Sequence, residues 1–170
     1  MKLNIPTSKG NYSYRFVPIY PGIKPINKER AKENLSLLKH ICNTHNLEFI
    51  LFFGTLLGAV REHDFISHDE DIDIVLPITD LERFKNILFI LRENGFEVVR
   101  FERRGFMSIM RKGEYIDIYF FTPYVKDRRL ATCICELCEV KYINNTTQIE
   151  FQGESYTCLL YTSDAADDRI

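Results

Sequence analysis

Residues 69–77, DEDIDIVLP, carry four acids in five positions and then run into an apolar stretch closed by Pro77. Strands that enter a core seldom begin this way, because carboxylates repel one another. Successive strand residues point to opposite faces, so Asp71 and Asp73 project together while Ile72 and Ile74 enter the core. Side by side, the two carboxylates disfavour each other's ionisation unless a cation sits between them. Hard oxygen donors of this kind suit Mg2+ or Mn2+.

Other settings also produce acidic clusters. A calcium loop of the EF-hand type wants glycine where Ile74 stands and glutamate where Asp80 stands, so it is excluded. A solvated acidic turn and a glycosyltransferase D-x-D both stay open on these residues alone. The upstream chain adds a second element. Leu47 to Phe53, LEFILFF, is short and apolar and reads as a buried strand. Gly54 breaks it, and TLLGAVRE reads as a short helix. Backbone N–H groups at Gly54-Thr55 and the Thr55 hydroxyl then form an anion cradle suited to phosphate. A glycosyltransferase D-x-D does not require that cradle. Arg61, further along the helix, is expected to reach the same phosphate as a bidentate donor.

A third acid, Asp117, lies between apolar residues in YIDIYFF. A lone carboxylate on a buried strand costs several kcal/mol unless it is paired or bound to metal. Its two readings are a shared metal with Asp71 and Asp73, or an ion pair with Arg100 or Arg111. The first requires convergence across the 44 positions from Asp73 to Asp117.

The remaining elements follow from periodicity. Residues 1–26 hold Pro6, Pro18, Pro21 and Pro25 and are expected to be extended, without regular structure. Asn27 caps a helix striped by Ala31, Leu35, Leu38 and Ile41. Thr79 and Glu82 read as a capping box for a helix striped by Leu81, Phe84, Leu88 and Leu91, ended by Gly95. FEVVRFE, FMSIMRK and YIDIYFF read as an antiparallel meander, and EVKYI and TQIEF as further strands. The class is α+β, one mixed sheet with flanking helices.

The ordered set h-G-T, D-x-D and a distant h-D-h resembles the nucleotidyltransferase superfamily, and more closely its LicD, fukutin-like family. GTLLGAVR stands intact from Gly54 to Arg61, and FI and DEDID follow in the family's order. Ser67 and His68 replace a proline and a tryptophan, Asp64 a glycine, and Glu70 an aspartate. The family's closing segment is absent. The resemblance implies a nucleotidyltransferase-like catalytic domain over residues 27–157. It further implies transfer of a phospho-alcohol, such as phosphocholine, from a CDP-alcohol donor to a hydroxyl of a cell-surface glycan, lipid-linked glycan or teichoic acid. Asp71, Asp73 and Asp117 would be catalytic and hold Mg2+ or Mn2+, with Gly54, Thr55 and Arg61 on the donor phosphates. The alternatives are transfer of NMP from an NTP, and a degenerate domain that binds without catalysis.

Composition constrains the partners. The chain is 45% hydrophobic and 27% charged with a net charge of −2, so no basic field argues for nucleic acid or an anionic membrane. It shows no signal peptide and no transmembrane stretch, so a cytoplasmic protein, at most peripheral at a membrane, is expected. Cys133, Cys135 and Cys138 form a C-x-C-x-x-C cluster, one ligand short of a structural zinc site. Residues 158–170, from CLLYTSDAADD onward, resemble a translated sequencing adapter. They lack any apolar period and are expected to pack loosely.

Overall fold

The computed structural model describes residues 2–19, 22, 24–133 and 136–160. A mixed sheet with strand order β10-β11-β3-β4-β7-β6-β5 forms its centre. Its strands are β3 (Ile50–Leu51), β4 (Ile72–Pro77), β5 (Glu97–Glu102), β6 (Phe106–Arg111), β7 (Glu114–Pro123), β10 (Thr146–Phe151) and β11 (Glu154–Leu159). The expected meander is present: β5, β6 and β7 pair antiparallel in succession. Strand β4 lies parallel to β7, with Asp73 opposite Asp117. Two further strands, β8 (Leu130–Cys133) and β9 (Glu136–Glu139), extend from the end of β7.

Helix α1 (Lys28–Thr44) begins as its sequence dictates, with the Asn27 carboxamide accepting from the Arg30 N–H at 3.0 Å. Its buried Asn34 donates to the Arg111 carbonyl at 2.8 Å and ties the helix to β6. Ala31, Leu35, Leu38 and Ile41 join one core with Ile72, Ile74, Ile116 and Ile118 from the two central strands.

Several local expectations are corrected. Residues 2–15 form a hairpin, β1 (Lys2–Thr7) and β2 (Gly10–Arg15), where no regular structure was expected. Pro6 is tolerated because a two-stranded ribbon leaves edge positions that need no N–H. Ile5, Tyr12 and Tyr14 point inward and anchor the ribbon. The buried stretch Leu47–Phe53 contributes only Ile50–Leu51 as strand, because Phe53 already opens α2 (Phe53–Arg61).

The helix expected after Pro77 is divided into α3 (Leu81–Lys85) and α4 (Leu88–Glu93). No Thr79–Glu82 capping box forms. Asp80 takes the cap position and bonds the Arg83 guanidinium instead, while Glu82 pairs with Lys85. The apolar stripe survives the break, with Phe84, Leu88 and Leu91 buried, and Gly95 (φ 88°) ends α4. EVKYI is not a strand: Val140–Asn144 is a short helix, α5. A helical turn shortens the link from β9 to β10 and lays Val140, Tyr142 and Ile143 on a second apolar cluster around Phe52 and Leu159.

Loose packing from Cys158 onward is also corrected at its boundary. Cys158 and Leu159 complete β11, are buried, and Cys158 lies opposite Leu51 in a parallel pair with β3. Cys158 packs in the main core and Leu159 in the second apolar cluster, so both faces of the strand are buried there. Residues 161–170 lie outside the described residues, as does Cys135 of the cysteine cluster. Cys133 is buried and its thiol donates to the Gly105 carbonyl at 2.8 Å.

Candidate active site

Parallel pairing of β4 with β7 sets Asp73 and Asp117 side by side on one face, and Asp71 enters from the residue pair just before β4. One carboxylate oxygen from each of Asp71, Asp73 and Asp117 lies within 4.8 Å of the other two. No other group of three His, Cys, Asp or Glu residues among the described residues converges in this way. Asp73 and Asp117 are only 7% and 6% exposed, while Asp71 is half-buried and faces a cleft of about 370 Å3. The cleft is lined by His68, Asp69, Glu70, Asp71, Arg100, Tyr115, Asp117 and Ile19.

The electrostatics follow from that crowding. Burial, then the charges of Asp117 and Asp69, push the Asp71 carboxyl up to about 7 against the pull of Arg100. Burial and the charges of Asp71, Asp117 and Asp69 hold Asp73 well above the ordinary carboxylate range, partly offset by the Gly54 N–H that donates to it. Asp117 is also raised by burial. Arg100, Ser108 and Asp71 all stabilise its charge and limit that rise. Octahedral Mg2+ sets neighbouring oxygens about 3 Å apart and opposite ones about 4 Å apart, so acids whose oxygens lie within 4.8 Å need only small side-chain shifts to share one divalent ion. The three side chains supply only oxygen donors, the set that Mg2+ and Mn2+ prefer over softer metals.

Helix α2 supports the acids from below. Phe53 opens it with φ 41°, a left-handed conformation uncommon for a bulky residue, and edge contacts with Phe52 and Tyr119 fix its ring. The Thr55 hydroxyl accepts the Asp73 N–H at 2.8 Å and is 1% exposed. Thr55, expected to cradle phosphate, thus ties α2 to the strand that carries Asp73. Gly54 presents its N–H to Asp73, and the Asp69 carboxylate packs directly on its Cα. Arg61 is exposed at the last residue of α2, the end away from Gly54, and does not line the cleft.

The cleft's arginine is Arg100 of β5. Its Nη2 bonds both oxygens of Asp117 at 2.9 Å, and its Nε donates to the Ser108 hydroxyl at 2.9 Å. Ser108 in turn donates to Asp117 Oδ1. Asp117 therefore converges with Asp71 and Asp73 and is at the same time ion-paired with Arg100. Arg111 is engaged elsewhere, with Glu33 at 2.7 Å. Arg100, Ser108 and Tyr115 were not singled out as functional. Strand alternation offered the available signal, since Arg100 and Ser108 are polar positions inside otherwise apolar strands.

A mixed sheet presenting three converging carboxylates beside a helix with glycine in its first turn defines a nucleotidyltransferase fold. Two solved structures share it: lincosamide antibiotic adenylyltransferase LnuA (TM-score 0.53, 12% identity, 78% of this chain and 81% of that one), and ANT(2")-Ia, seen with adenylyl-2"-tobramycin (TM-score 0.52, 17% identity, 75% and 68%). The profile described as LicD/FKTN/FKRP, nucleotidyltransferase domain, matches residues 46–158, and the chain belongs to that family. Lipopolysaccharide cholinephosphotransferase LicD of Haemophilus influenzae is 35% identical over 49 residues, 29% of this chain and 18% of that protein. Protein RT0683 of Rickettsia typhi is 29% identical over 93 residues, 51% and 30% respectively. The chain thus covers less than a third of the length of either curated relative. No helix among the described residues is long and apolar enough to cross a membrane.

Proposed function

We propose that this chain is a metal-dependent phosphotransferase that moves a phospho-alcohol, phosphocholine-like, from a CDP-activated donor to a hydroxyl of a glycan acceptor. The convergence of Asp71, Asp73 and Asp117 within 4.8 Å in a LicD-family chain carries the reading. Asp71, Asp73 and Asp117 would hold Mg2+ or Mn2+, which supplies positive charge for the donor diphosphate and the developing charge at phosphorus. The acceptor oxygen forms a bond to the transferred phosphorus in line with the bond to CMP, which breaks.

The chain's own residues set the stage for that displacement. The Thr55 hydroxyl accepts the Asp73 backbone N–H and the Gly54 N–H donates to the Asp73 carboxylate, so that carboxylate is positioned before substrate enters. Asp117 accepts from Arg100 and Ser108 and acts as a held anion more than as a free base. Asp71 is the least buried of the three and is the acid best placed to meet the acceptor's proton. A mostly apolar pocket of about 180 Å3, lined by Val17, Pro18, Met110 and Tyr115, shares Ile19, Glu70 and Tyr115 with the acidic cleft. It offers room for the group carried on the phosphate.

The test is product analysis with a panel of CDP-alcohols and NTPs in Mg2+ or Mn2+. Release of CMP from a CDP-alcohol, lost in Asp73→Asn, supports the reading. Pyrophosphate release from an NTP, with no CMP from any CDP-alcohol, replaces it with nucleotidyl transfer.

A further inference from the structure

Four carboxylates, Asp69, Glu70, Asp71 and Asp117, line the cleft and Asp73 is buried beside Asp117, yet the five are not equivalent. The Asp69 carboxylate accepts the Glu70 N–H and lies on Gly54, and that of Glu70 accepts the Gly22 N–H. Those two are occupied by backbone donors. Among the described residues only Asp71, Asp73 and Asp117 converge. Against them the cleft lining sets one permanent cation, Arg100.

The Arg100 guanidinium is held tightly. It lies 5.1 Å from the Phe106 ring centre and 5.7 Å from that of Tyr115. Its Nε is committed to Ser108 and its Nη2 to Asp117, while its Nη1 makes no hydrogen bond among the described residues. Its side chain keeps 24% of its surface exposed, on the cleft. Both oxygens of Asp117 already accept from Arg100, and one also accepts from Ser108, so Asp117 keeps little free coordination for a second ion.

We propose that Arg100 is the cleft's built-in second cation: it neutralises Asp117, limits the triad to one divalent ion, and offers Nη1 to a phosphate oxygen of the donor. This rests on the metal-dependent phosphotransferase reading. Arg100 repels the metal and attracts the nucleotide, so removing its charge moves the two affinities in opposite directions. Loss of fold would weaken both.

The experiment is calorimetric titration of the full chain, first with Mn2+ after EDTA stripping, then with CDP at saturating Mn2+. The wild type binds one Mn2+. In Arg100→Gln, Mn2+ binds at least about tenfold tighter, because a unit charge a few ångströms from a divalent ion is removed. CDP binds at least about tenfold weaker, the loss expected of a charged hydrogen bond. Arg100→Lys keeps the charge and holds Mn2+ affinity within about threefold, while CDP still weakens because the planar fork is gone. Two Mn2+ per wild-type chain, weaker Mn2+ binding in Arg100→Gln, or unchanged CDP affinity overturns the proposal. No Mn2+ binding to the wild type overturns the metal-dependent function itself, and the proposal with it.

Discussion

Gly58→Ala sets two effects of opposite sign against each other. The position lies inside α2 with ordinary helical dihedrals, and there alanine is favoured over glycine by about 1 kcal/mol. Propensity alone therefore expects a firmer protein. The structure expects the reverse. A Cβ at Gly58 would stand 2.5 Å from the Asp64 carbonyl oxygen and 3.2 Å from both the Ile66 N and Cγ1. The nearest obstacle is backbone, and that backbone is pinned. The Asp64 carboxylate holds Lys28 of α1 at 2.6 Å and Gln152 of the β10–β11 turn at 2.6 Å, and also accepts the neighbouring Phe65 N–H at 2.8 Å, so two other elements resist its displacement. Overpacking against an immobile wall costs about 1–3 kcal/mol or more, enough to outweigh the propensity gain. Urea unfolding in EDTA should give a net loss of about 1–2 kcal/mol, a fall in Tm of several degrees at this chain length. Gly54→Ala is the informative contrast. There the obstacle is the Asp69 carboxylate, a side chain that can swing aside. The damage should then fall on the Mn2+ response and less on stability. A Gly58→Ala protein more stable than the wild type would show that the loop yields, and that close helix–loop contact is not why glycine stands there.

Asp73→Asn should abolish transfer and the rise in Tm caused by Mn2+, while the metal-free fold at pH 8 is as stable as the wild type or firmer, since a buried repulsion is removed; thermal melts with and without Mn2+ check this, and a large loss of metal-free stability would refute it. The folded-state pKa values of Asp71, Asp73 and Asp117 are raised, so their contribution to stability is full below the unfolded value near 3.8 and is lost as pH rises through about 7 for Asp71. Melting in EDTA should accordingly show stability falling between about pH 5 and pH 8 by on the order of a few kcal/mol, a slope that Mn2+ flattens; a wild-type slope equal to that of Asp73→Asn would count against it. Truncation after Leu160 should leave Tm within about two degrees, because the segment's composition offers nothing to pack. Truncation after Thr157 removes buried Cys158 and Leu159 and should cost about 2 kcal/mol or more by the same melts.

What could be read from the chain was whatever local alternation and spacing encode. DIDIVL and YIDIYFF each place acid only where the non-core face points, and the parallel register of β4 on β7 turned that shared pattern into adjacency. Nothing local says which strand neighbours which, so convergence was an expectation until the fold joined them. Tertiary contacts decide what local preference leaves open. The helix start at Gly54-Thr55 suggested phosphate contacts for Thr55 and Arg61; in the fold the Thr55 hydroxyl accepts the Asp73 N–H of β4, and Arg61 stands at the far end of α2.

The arginine of the site came from a different strand, and its position follows from strand order. Strands β5 and β6 pair antiparallel, which sets Arg100 opposite Ser108; β6 and β7 do the same for Ser108 and Asp117. The register shift between Val98 and Arg100 is a bulge, and bulges re-aim side chains where a sheet meets a site. Arg100 thereby reaches across one strand to Asp117 two strands away. A sequence shows that a buried acid needs a partner. Only the register, with its single irregularity, decides that the partner is Arg100 and leaves Arg111 to Glu33. The same irregularity makes the site's charge balance a property of the sheet, so shifting that bulge should disturb metal affinity before it disturbs the fold.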